Sequence, residues 1–376
     1  MIISKFTGLI YRNIIKPILF LFPADDVHEW FLDNGRWLGQ HSFLKKLFKK
    51  MWGYEDSILS QNLAGLAFKN PIGLAAGFDY NADLVEILPS IGFGFNAIGT
   101  LTVEPYADNP RPMLGRLPKS QSLLVNKGFK NKSVAKVLAH LNSNSSGAMR
   151  GVSIGATNKP YPDFEAMLEN LVAGFREAEK FNNFDYYELN ISCPNLLNLQ
   201  NLKEQLASPS GLTKALIRLE ALNLVRPVFI KMPLERTFEE TKELIESATP
   251  FPFIKGLIFS NLAKDRNNAL FDQEEIKRAG AGNFSGKPME NQSNEMLRYA
   301  YKNYHERFLL IGVGGVFTAE DAYQKIKLGA SLIQLITGMV FMGPQQIGLI
   351  NKGLAELLKR DGYNHISEVV GTGVQC

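Results

Sequence analysis

Eight short apolar segments, each followed by a helical pattern, lie between residues 70 and 360, and this alternation limits the folds available to the chain. Most of the segments are continuously apolar, which is typical of parallel strands that are buried on both faces. The predicted strands are 71–76, 96–101, 151–155, 186–192, 227–232, 255–260, 308–313 and 331–336. The predicted helices span about 81–90, 131–142, 163–180, 211–222, 238–248, 291–303, 319–328 and 344–360. Eight consecutive β–α units predict an α/β fold of the closed (β/α)8, or TIM, barrel class.

An open, doubly wound sheet is the alternative to a closed barrel. It would require a glycine-rich dinucleotide fingerprint after the first strand, and residues 73–77 do not supply one. We therefore predict three parts: an amphipathic helical segment at 1–50, a linker at 51–69 and the barrel at 70–376.

The first 50 residues carry the charge excess of the whole chain. They contain eight Lys or Arg against four Asp or Glu, and the difference of four equals the net charge of +4. The apolar run at 9–22 includes Arg12 and Lys16, so it is too short and too charged for a membrane span, which needs about 20 apolar residues. The composition fits two alternatives, a two-helix appendage lying on an anionic membrane surface or a helix pair packed on the barrel.

Composition also argues against several kinds of partner. A net charge of +4 gives no reason to expect a nucleic-acid partner. The five histidines are scattered without ligand spacing, so no metal site is expected. The two cysteines, Cys193 and Cys376, cannot build a disulfide framework, and such usage fits a reducing compartment.

Glycines follow the last two predicted strands, where TIM barrels commonly bind phosphate. Gly314 and Gly315 come after the seventh strand, and Thr337-Gly338 come after the eighth. Without a Cβ, glycine lets backbone N–H groups approach an anion closely. A plain glycine turn is the simpler interpretation of either pair alone, but the two pairs together favour a phosphate site.

The most reactive residues of the predicted rim lie in Asn190–Asn195, where two asparagines flank Cys193. Asparagine offers both a donor and an acceptor, so several of them can bind a planar ring edged with C=O and N–H groups. Asn126 and Asn261 lie beside other strand ends or their loops. The thiol could accept or give a proton, although a buried cysteine often acts only as a small apolar residue. Lys231 ends the fifth strand and could hold an electron-rich ring edge.

In chain order, several motifs resemble those of the dihydroorotate dehydrogenase family. They are NPIGLAAGFD (70–79), GFGFNAIGTLT (92–102), NISCPN (190–195), FSGKP (284–288), LIGVGGV (310–316) and GASLIQLITGMVFMGP (329–344). LFPADDVHEW (21–30) and KRDGYNHISEVVG (359–371) resemble the membrane-associated, quinone-using class 2 of that family. The resemblance covers about residues 10 to 371.

The resemblance implies an FMN-dependent oxidation of (S)-dihydroorotate to orotate, with a quinone as electron acceptor, in de novo pyrimidine (UMP) biosynthesis. It implies a peripheral, monotopic membrane protein, on the cytoplasmic face of the inner membrane in a bacterium. Cys193 stands at the position of the catalytic base, and His28 and Arg116 match positions that line the quinone tunnel. The residues expected to bind FMN are Ala76, Gly77, Thr100, Asn158, Asn190, Lys231, Ser260, Gly286, Gly314, Gly315, Thr337 and Gly338. Those expected to bind the pyrimidine are Asn126, Gly128, Phe129, Asn190, Asn195 and Asn261.

The chain departs from the family pattern at several of these positions. Class 2 members have Ser as the base, and Cys193 is the choice of the soluble class 1 enzymes. The AAGxDK motif ends here in Tyr80 instead of a lysine that contacts flavin and substrate, and the NRxGFN loop is shortened to 126–130. Leu262 replaces a hydroxyl residue, and Ile336 replaces a tunnel tyrosine. Two alternatives therefore stay open: a related FMN oxidoreductase acting on another pyrimidine-like ring, and a flavin-free phosphate-binding barrel.

Overall fold

The computed structural model describes residues 2–141, 147–199 and 201–374, so Cys376 lies outside the described residues. The strands are β1 (Gln61–Leu63), β2 (Leu66–Phe68), β3 (Ile72–Leu74), β4 (Phe95–Leu101), β5 (Leu114–Leu117), β6 (Ser122–Val125), β7 (Met149–Ile154), β8 (Tyr186–Asn190), β9 (Val228–Lys231), β10 (Ile254–Phe259), β11 (Asn283–Gly286), β12 (Leu309–Val313) and β13 (Leu332–Leu335). The helices are α1 (Ile2–Ile10), α2 (Lys16–Leu19), α3 (Ala24–Gln40), α4 (Ser42–Trp52), α5 (Val134–His140), α6 (Phe164–Ala178), α7 (Leu202–Leu206), α8 (Pro209–Glu220), α9 (Phe238–Ala248), α10 (Gln273–Arg278), α11 (Glu290–Tyr304), α12 (Ala319–Lys327), α13 (Thr337–Met342) and α14 (Gln346–Arg360).

Eight strands close into a barrel in the order β3-β4-β7-β8-β9-β10-β12-β13, and β13 pairs with β3 again. Every neighbouring pair in this ring is parallel. All eight apolar segments identified in the sequence form its strands, which confirms the prediction of a TIM barrel. Because the ring is parallel, the carboxyl ends of all eight strands meet at one rim.

The opposite, amino-terminal end of the barrel is filled by aromatic side chains. Phe95 and Tyr186 begin β4 and β8, and both belong to a buried cluster with Phe229. The antiparallel β1–β2 hairpin adds Phe68, whose ring centroid lies 5.4 Å from that of Phe95. The hairpin therefore closes this end of the barrel and leaves the carboxyl rim for ligands.

A second, antiparallel sheet lies beside the barrel in the order β11-β6-β5, and the sequence analysis did not predict it. Its strands come from two βα connections that are far apart in the chain, since β6 pairs with β11 over Ser122–Val125 and Asn283–Gly286. A small apolar cluster that includes Leu124 and Phe284 packs behind it. The sheet builds part of the wall above the carboxyl rim.

The helix predicted at 81–90 is wrong: these residues form turns, followed by a 3₁₀ turn at Leu88–Ile91. The carboxylate of Asp79 explains the difference, because it accepts the backbone N–H groups of Asp83 at 2.7 Å and Leu84 at 2.9 Å. Those bonds replace helical ones. Burial raises the pKa of Asp79 to about 7, so this carboxyl is an unusual, fully enclosed anchor for the turn.

The amino-terminal segment contains three helical stretches where two were expected. Residues 2–19 form one stretch, α1 and α2, with a π-helical turn at Tyr11–Ile15 just before Pro17, which lacks an N–H for the helical ladder. α3 and α4 follow and are separated by His41 in an extended conformation. The residues predicted as a linker, 51–69, contain the end of α4 and the β1–β2 hairpin. Within the described ranges, no helix has the length and apolarity required to cross a membrane.

The amino-terminal helices pack closely on the barrel at glycine positions. Gly348, in α14, lies against the end of α4, and a Cβ built on it would stand 1.7 Å from the carbonyl oxygen of Trp52. Gly35, in α3, is equally tight, with a Cβ position 2.2 Å from the side chain of Leu84. Glycine at these sites lets the helices approach more closely than any side chain would allow.

We predict that Gly348→Ala destabilises the protein by about 1–3 kcal/mol, because the added methyl group overpacks the contact with Trp52. Alanine in a helix interior would otherwise stabilise by about 1 kcal/mol. Thermal or denaturant unfolding measures the change. Gly280→Ala is the control, because its Cβ would meet no atom within 4 Å. Equal stability of the two variants would show that α4 moves away at no cost.

Candidate active site

A cavity opens at the carboxyl rim of the barrel, and its empty volume is about 1520 Å³ with the mouth included. All but two of the site residues predicted from the sequence line it. They are His28, Ala76, Gly77, Thr100, Arg116, Gly128, Phe129, Asn190, Cys193, Asn195, Lys231, Ser260, Asn261, Gly286, Gly314, Gly315, Thr337 and Gly338.

The glycines after the last two strands form a tight backbone cradle. Gly314 and Gly315 both have positive φ, 103° and 75°. A Cβ on Gly315 would stand 2.4 Å from Glu290 Cβ, and one on Gly338 would stand 2.0 Å from the carbonyl oxygen of Val316. Side chains are therefore excluded from both connections, which leaves backbone groups facing the cavity at the place where barrels bind phosphate.

A hydrogen-bonded polar layer forms the floor of the cavity. The Thr100 and Ser153 hydroxyl oxygens lie 2.9 Å apart, and Asn190 Nδ2 donates to Thr100 Oγ1 at 2.9 Å. Asn261 Nδ2 donates to Asn190 Oδ1 at 3.2 Å. These residues come from β4, β7, β8 and the end of β10, so barrel closure alone brings them together.

Lys231, the last residue of β9, is buried and lines the same cavity. Burial lowers the pKa of Lys231, and the charge of Glu188 acts in the opposite direction. Burial likewise raises the pKa of Glu188. Gln334, on β13, donates from Nε2 to Glu188 Oε1 at 2.5 Å across the barrel. The carboxyl group that acts on the lysine is therefore held in place inside the barrel.

Cys193 lines the cavity, whereas its neighbour Ser192 is engaged elsewhere. The Ser192 hydroxyl donates to the carbonyl oxygen of Lys231 at 2.9 Å and accepts from Asn261 Nδ2 at 3.0 Å. Burial raises the pKa of the Cys193 thiol to about 11, and a hydrogen bond from the Asn195 backbone opposes this. Of the two adjacent side chains, the thiol is thus the one placed to exchange a proton with a ligand, and it is protonated at neutral pH.

The predicted asparagines divide into two groups. Asn190, Asn195 and Asn261 line the cavity. Asn126 and Asn158 do not, and both are instead bonded to Asn109, a residue that the sequence analysis did not select. Asn109 Nδ2 donates to Asn126 Oδ1 at 3.0 Å and to the Asn195 carbonyl oxygen at 3.0 Å.

A cluster of ionic and aromatic side chains forms the wall beside α3. The Tyr80 hydroxyl donates to Glu29, which also accepts from Lys130 Nζ at 2.9 Å. Lys130 pairs in addition with Asp108 at 2.9 Å. Lys127 lies over the Tyr80 ring, with its Nζ 4.8 Å from the ring centroid, and it lines the cavity. Sequence reasoning gave Lys127 no role, although a charged residue between Asn126 and Gly128 was a visible signal.

An apolar cavity of about 1040 Å³ lies between the amino-terminal helices and the barrel, and it shares Val27, Phe78, Arg116 and Val340 with the first one. The Arg116 guanidinium donates to the Phe22 carbonyl oxygen at 2.8 Å. The two cavities are therefore adjacent and share one wall.

His28 lines the first cavity beside Phe78, which lines both cavities. Burial lowers the pKa of His28 to about 3, so the imidazole is neutral. Its Nε2 lies 3.0 Å from the carbonyl oxygen of Phe78, which can only accept, so Nε2 carries the hydrogen. Nδ1 is then a free acceptor, and no described group donates to it.

Comparisons with known proteins agree with this geometry. The family model described as "Dihydroorotate dehydrogenase" matches residues 58–358. A curated "Dihydroorotate dehydrogenase (quinone)" of Roseiflexus sp. strain RS-1 is 36% identical over 363 residues, which are 96% of this chain and 98% of that protein. One of Christiangramia forsetii is 33% identical and covers 92% of this chain and 99% of its own length. The crystal structure of ligand-free DHODH from Eimeria tenella has a TM-score of 0.80 at 25% identity, and covers 93% of this chain and 98% of that one.

We predict that alkylation of Cys193 by iodoacetamide accelerates steadily between pH 7 and about 10, without the plateau that a free thiol of pKa about 8.5 shows. The reason is that only the thiolate reacts, and burial holds the pKa near 11. The Cys376→Ser protein leaves Cys193 as the single thiol, and Cys193→Ser measures the remaining background. A rate that levels off by pH 10 with a midpoint near 8.5 would contradict the raised pKa.

Proposed function

We propose that this chain, which belongs to the dihydroorotate dehydrogenase family, oxidises dihydroorotate to orotate and passes the electrons to a quinone, with FMN as cofactor. Such a reaction is a step of pyrimidine biosynthesis. The observation that carries the proposal is that two cavities lie side by side and share part of their lining. One lies at the strand ends and is floored by hydrogen-bonded polar side chains, and the other is apolar and opens beneath the amino-terminal helices.

The residues of the first cavity fit FMN. The cradle at Gly314, Gly315 and Gly338 admits only backbone, as a phosphate group requires. Thr100 and Lys231 offer a hydroxyl and a buried cation to the polar edge of a planar ring. When bound, FMN supplies the acceptor for a hydride from the substrate and the donor of electrons to the quinone.

We assign the proton step to Cys193. Its sulfur is the base that accepts the proton from C5 of dihydroorotate, and the reaction then leaves the thiol protonated. Asn190, Asn195 and Asn261 present amide donors and acceptors around the same space, which suits the C=O and N–H edges of a pyrimidine. Because burial holds the thiol pKa near 11, the thiolate is scarce at neutral pH and becomes more abundant as pH rises.

The apolar cavity is the proposed quinone site. Its walls come from Tyr11, α2, α3 and α4 on one side and the barrel on the other, including Trp30, Phe31 and Ile91. A quinone ring carries two carbonyl oxygens, which accept hydrogen bonds, and the Arg116 guanidinium lines both cavities as a donor. His28 is neutral and donates to the protein backbone, so it positions this junction without adding charge.

We further propose that residues 1–50 form the membrane segment, with 51–69 as the connection to the barrel at 70–376. Thirteen of the eighteen exposed large apolar side chains in the described chain lie in this segment, which also carries the basic excess. Apolar side chains and lysines on one surface suit an anionic membrane. The cytoplasmic leaflet of a bacterial inner membrane has that charge.

For the proton step, we expect Cys193→Ala to slow the bleaching of flavin absorbance by dihydroorotate about 10²- to 10⁴-fold, the usual contribution of a general base. Flavin content should not change. Cys193→Ser should retain part of the rate, with its pH profile moved upward because a hydroxyl is a weaker acid. Stopped-flow absorbance between pH 6 and 10 measures both.

The matched control for the proton step is Cys376→Ser, which should behave like the unaltered protein. Bleaching of Cys193→Ala at the unaltered rate would show that the base is another group. Failure of the unaltered protein to be reduced by dihydroorotate would instead favour an oxidoreductase of a different pyrimidine-like ring.

For the membrane segment, we expect Leu21→Glu/Phe22→Glu to weaken binding to phosphatidylcholine–phosphatidylglycerol vesicles more than tenfold. These two side chains are 82% and 56% exposed, and each could contribute about 1.5–3 kcal/mol on full burial in lipid. Vesicle flotation measures the binding. Val225→Glu, on an equally exposed residue of the barrel, is the control. Unchanged binding of the double variant would contradict the membrane role.

A further inference from the structure

Lys127 is buried without a partner at the edge of the candidate active site. Its side chain is 6% exposed, and Nζ has no hydrogen-bond partner. In the described part of the chain it is the only ammonium or guanidinium group buried in this way. Burying an unpaired cation is costly, and a protein normally provides a counter-charge or lets the pKa fall. Here burial lowers the pKa of Lys127 to about 8.

The carboxylates nearby act on Lys127 through their charge, but none of them accepts a hydrogen bond from it. Glu29 accepts from Tyr80 and Lys130, and Asp108 pairs with Lys130. Asp25 accepts the backbone N–H of Met113 at 3.1 Å. Lys127 Nζ therefore lies over the Tyr80 ring at the wall of the cavity, without a hydrogen-bond partner among the described residues.

We propose that Lys127 binds the carboxylate of the substrate. The inference rests on the proposed function, and it names the group that recognises the one charged substituent of dihydroorotate. The asparagines of the cavity can bind the ring's C=O and N–H groups, but an amide cannot neutralise a carboxylate. Lys231 lines the cavity as well, but the proposed function assigns it to the flavin ring, and the charge of Glu188 already acts on it.

Tyr80 has a supporting role in this arrangement. Residue 80 ends a motif that in related sequences ends in lysine, so this chain lacks the cation there. The Tyr80 ring instead lies beneath the ammonium of Lys127, which comes from the facing loop, and its hydroxyl is tied to Glu29. The cavity thus retains a lysine, but it is Lys127 of the facing loop and not the residue at position 80.

The test compares orotate with uracil, which has the same ring without the carboxylate. Lys127→Met should weaken orotate binding to the flavin-loaded enzyme about 10- to 100-fold, as loss of a charge-assisted hydrogen bond would, and leave uracil binding unchanged. Isothermal titration calorimetry measures both. The KM for dihydroorotate should rise more than kcat falls, and flavin content should stay the same. Lys127→Arg should recover part of the orotate affinity.

A stability measurement separates this role from a structural one. Because the ammonium is unpaired without ligand, Lys127→Met should not lower the Tm of the ligand-free protein, whereas loss of a structural lysine would. Lys132→Met is the control, since Lys132 is an exposed lysine of the same loop and removes the same charge. It should bind orotate like the unaltered protein.

Two results would overturn the inference while leaving the proposed function intact. One is orotate binding by Lys127→Met at the unaltered affinity, and the other is an equal loss of affinity for orotate and uracil. A Lys132→Met variant as weak as Lys127→Met would also overturn it, because general electrostatics would then explain the effect. Absence of orotate binding by the unaltered protein would overturn both the proposed function and this inference.

Discussion

The parallel closure of the barrel is the constraint on which the rest of the structure depends. In a closed parallel ring every strand ends at the same rim, so Gly77 and Thr337, from opposite ends of the barrel sequence, line one cavity. Backbone hydrogen bonds around the ring hold the strand ends at fixed separations. The side chains of Thr100 and Asn190 can then bond to each other directly, without adjustment of the loops between them.

The lysines of the candidate site differ in whether a carboxyl group compensates their charge. Lys231 is buried near Glu188, whose charge opposes the effect of burial on the lysine pKa, and a cross-barrel hydrogen bond from Gln334 holds that carboxyl in place. At the wall, Lys130 is paired twice and Lys127 has no hydrogen-bond partner. Burying a cation without a partner costs free energy, which a ligand of opposite sign can offset. Of the two lysines at the wall, Lys127 is therefore the one available to an anionic ligand.

The amino-terminal helices have two apolar faces, of which only one packs on the barrel. One face approaches the barrel closely at Gly35 and Gly348, and it encloses the apolar cavity, which shares Arg116 with the cavity at the strand ends. The other leaves Ile2, Phe6 and similar residues exposed. Packing on the barrel and lying on a membrane, the two alternatives that composition left open, therefore do not exclude each other, because the face that packs on the barrel is not the face that is exposed.

The sequence alone determined the barrel, its eight strands and most of the rim, because buried parallel strands need continuous apolar runs and phosphate cradles need glycine. It also predicted roles for Cys193 and the asparagines, because a thiol can exchange a proton and an amide can both donate and accept hydrogen bonds. Contacts between distant segments were decided only by the tertiary structure. Hydrogen bonds to the Asp79 carboxylate give turns where a helix was predicted, and Asn126 is bonded to Asn109 and does not line the cavity. The unpaired state of Lys127 depends on which neighbours bind one another, and no local pattern encodes that.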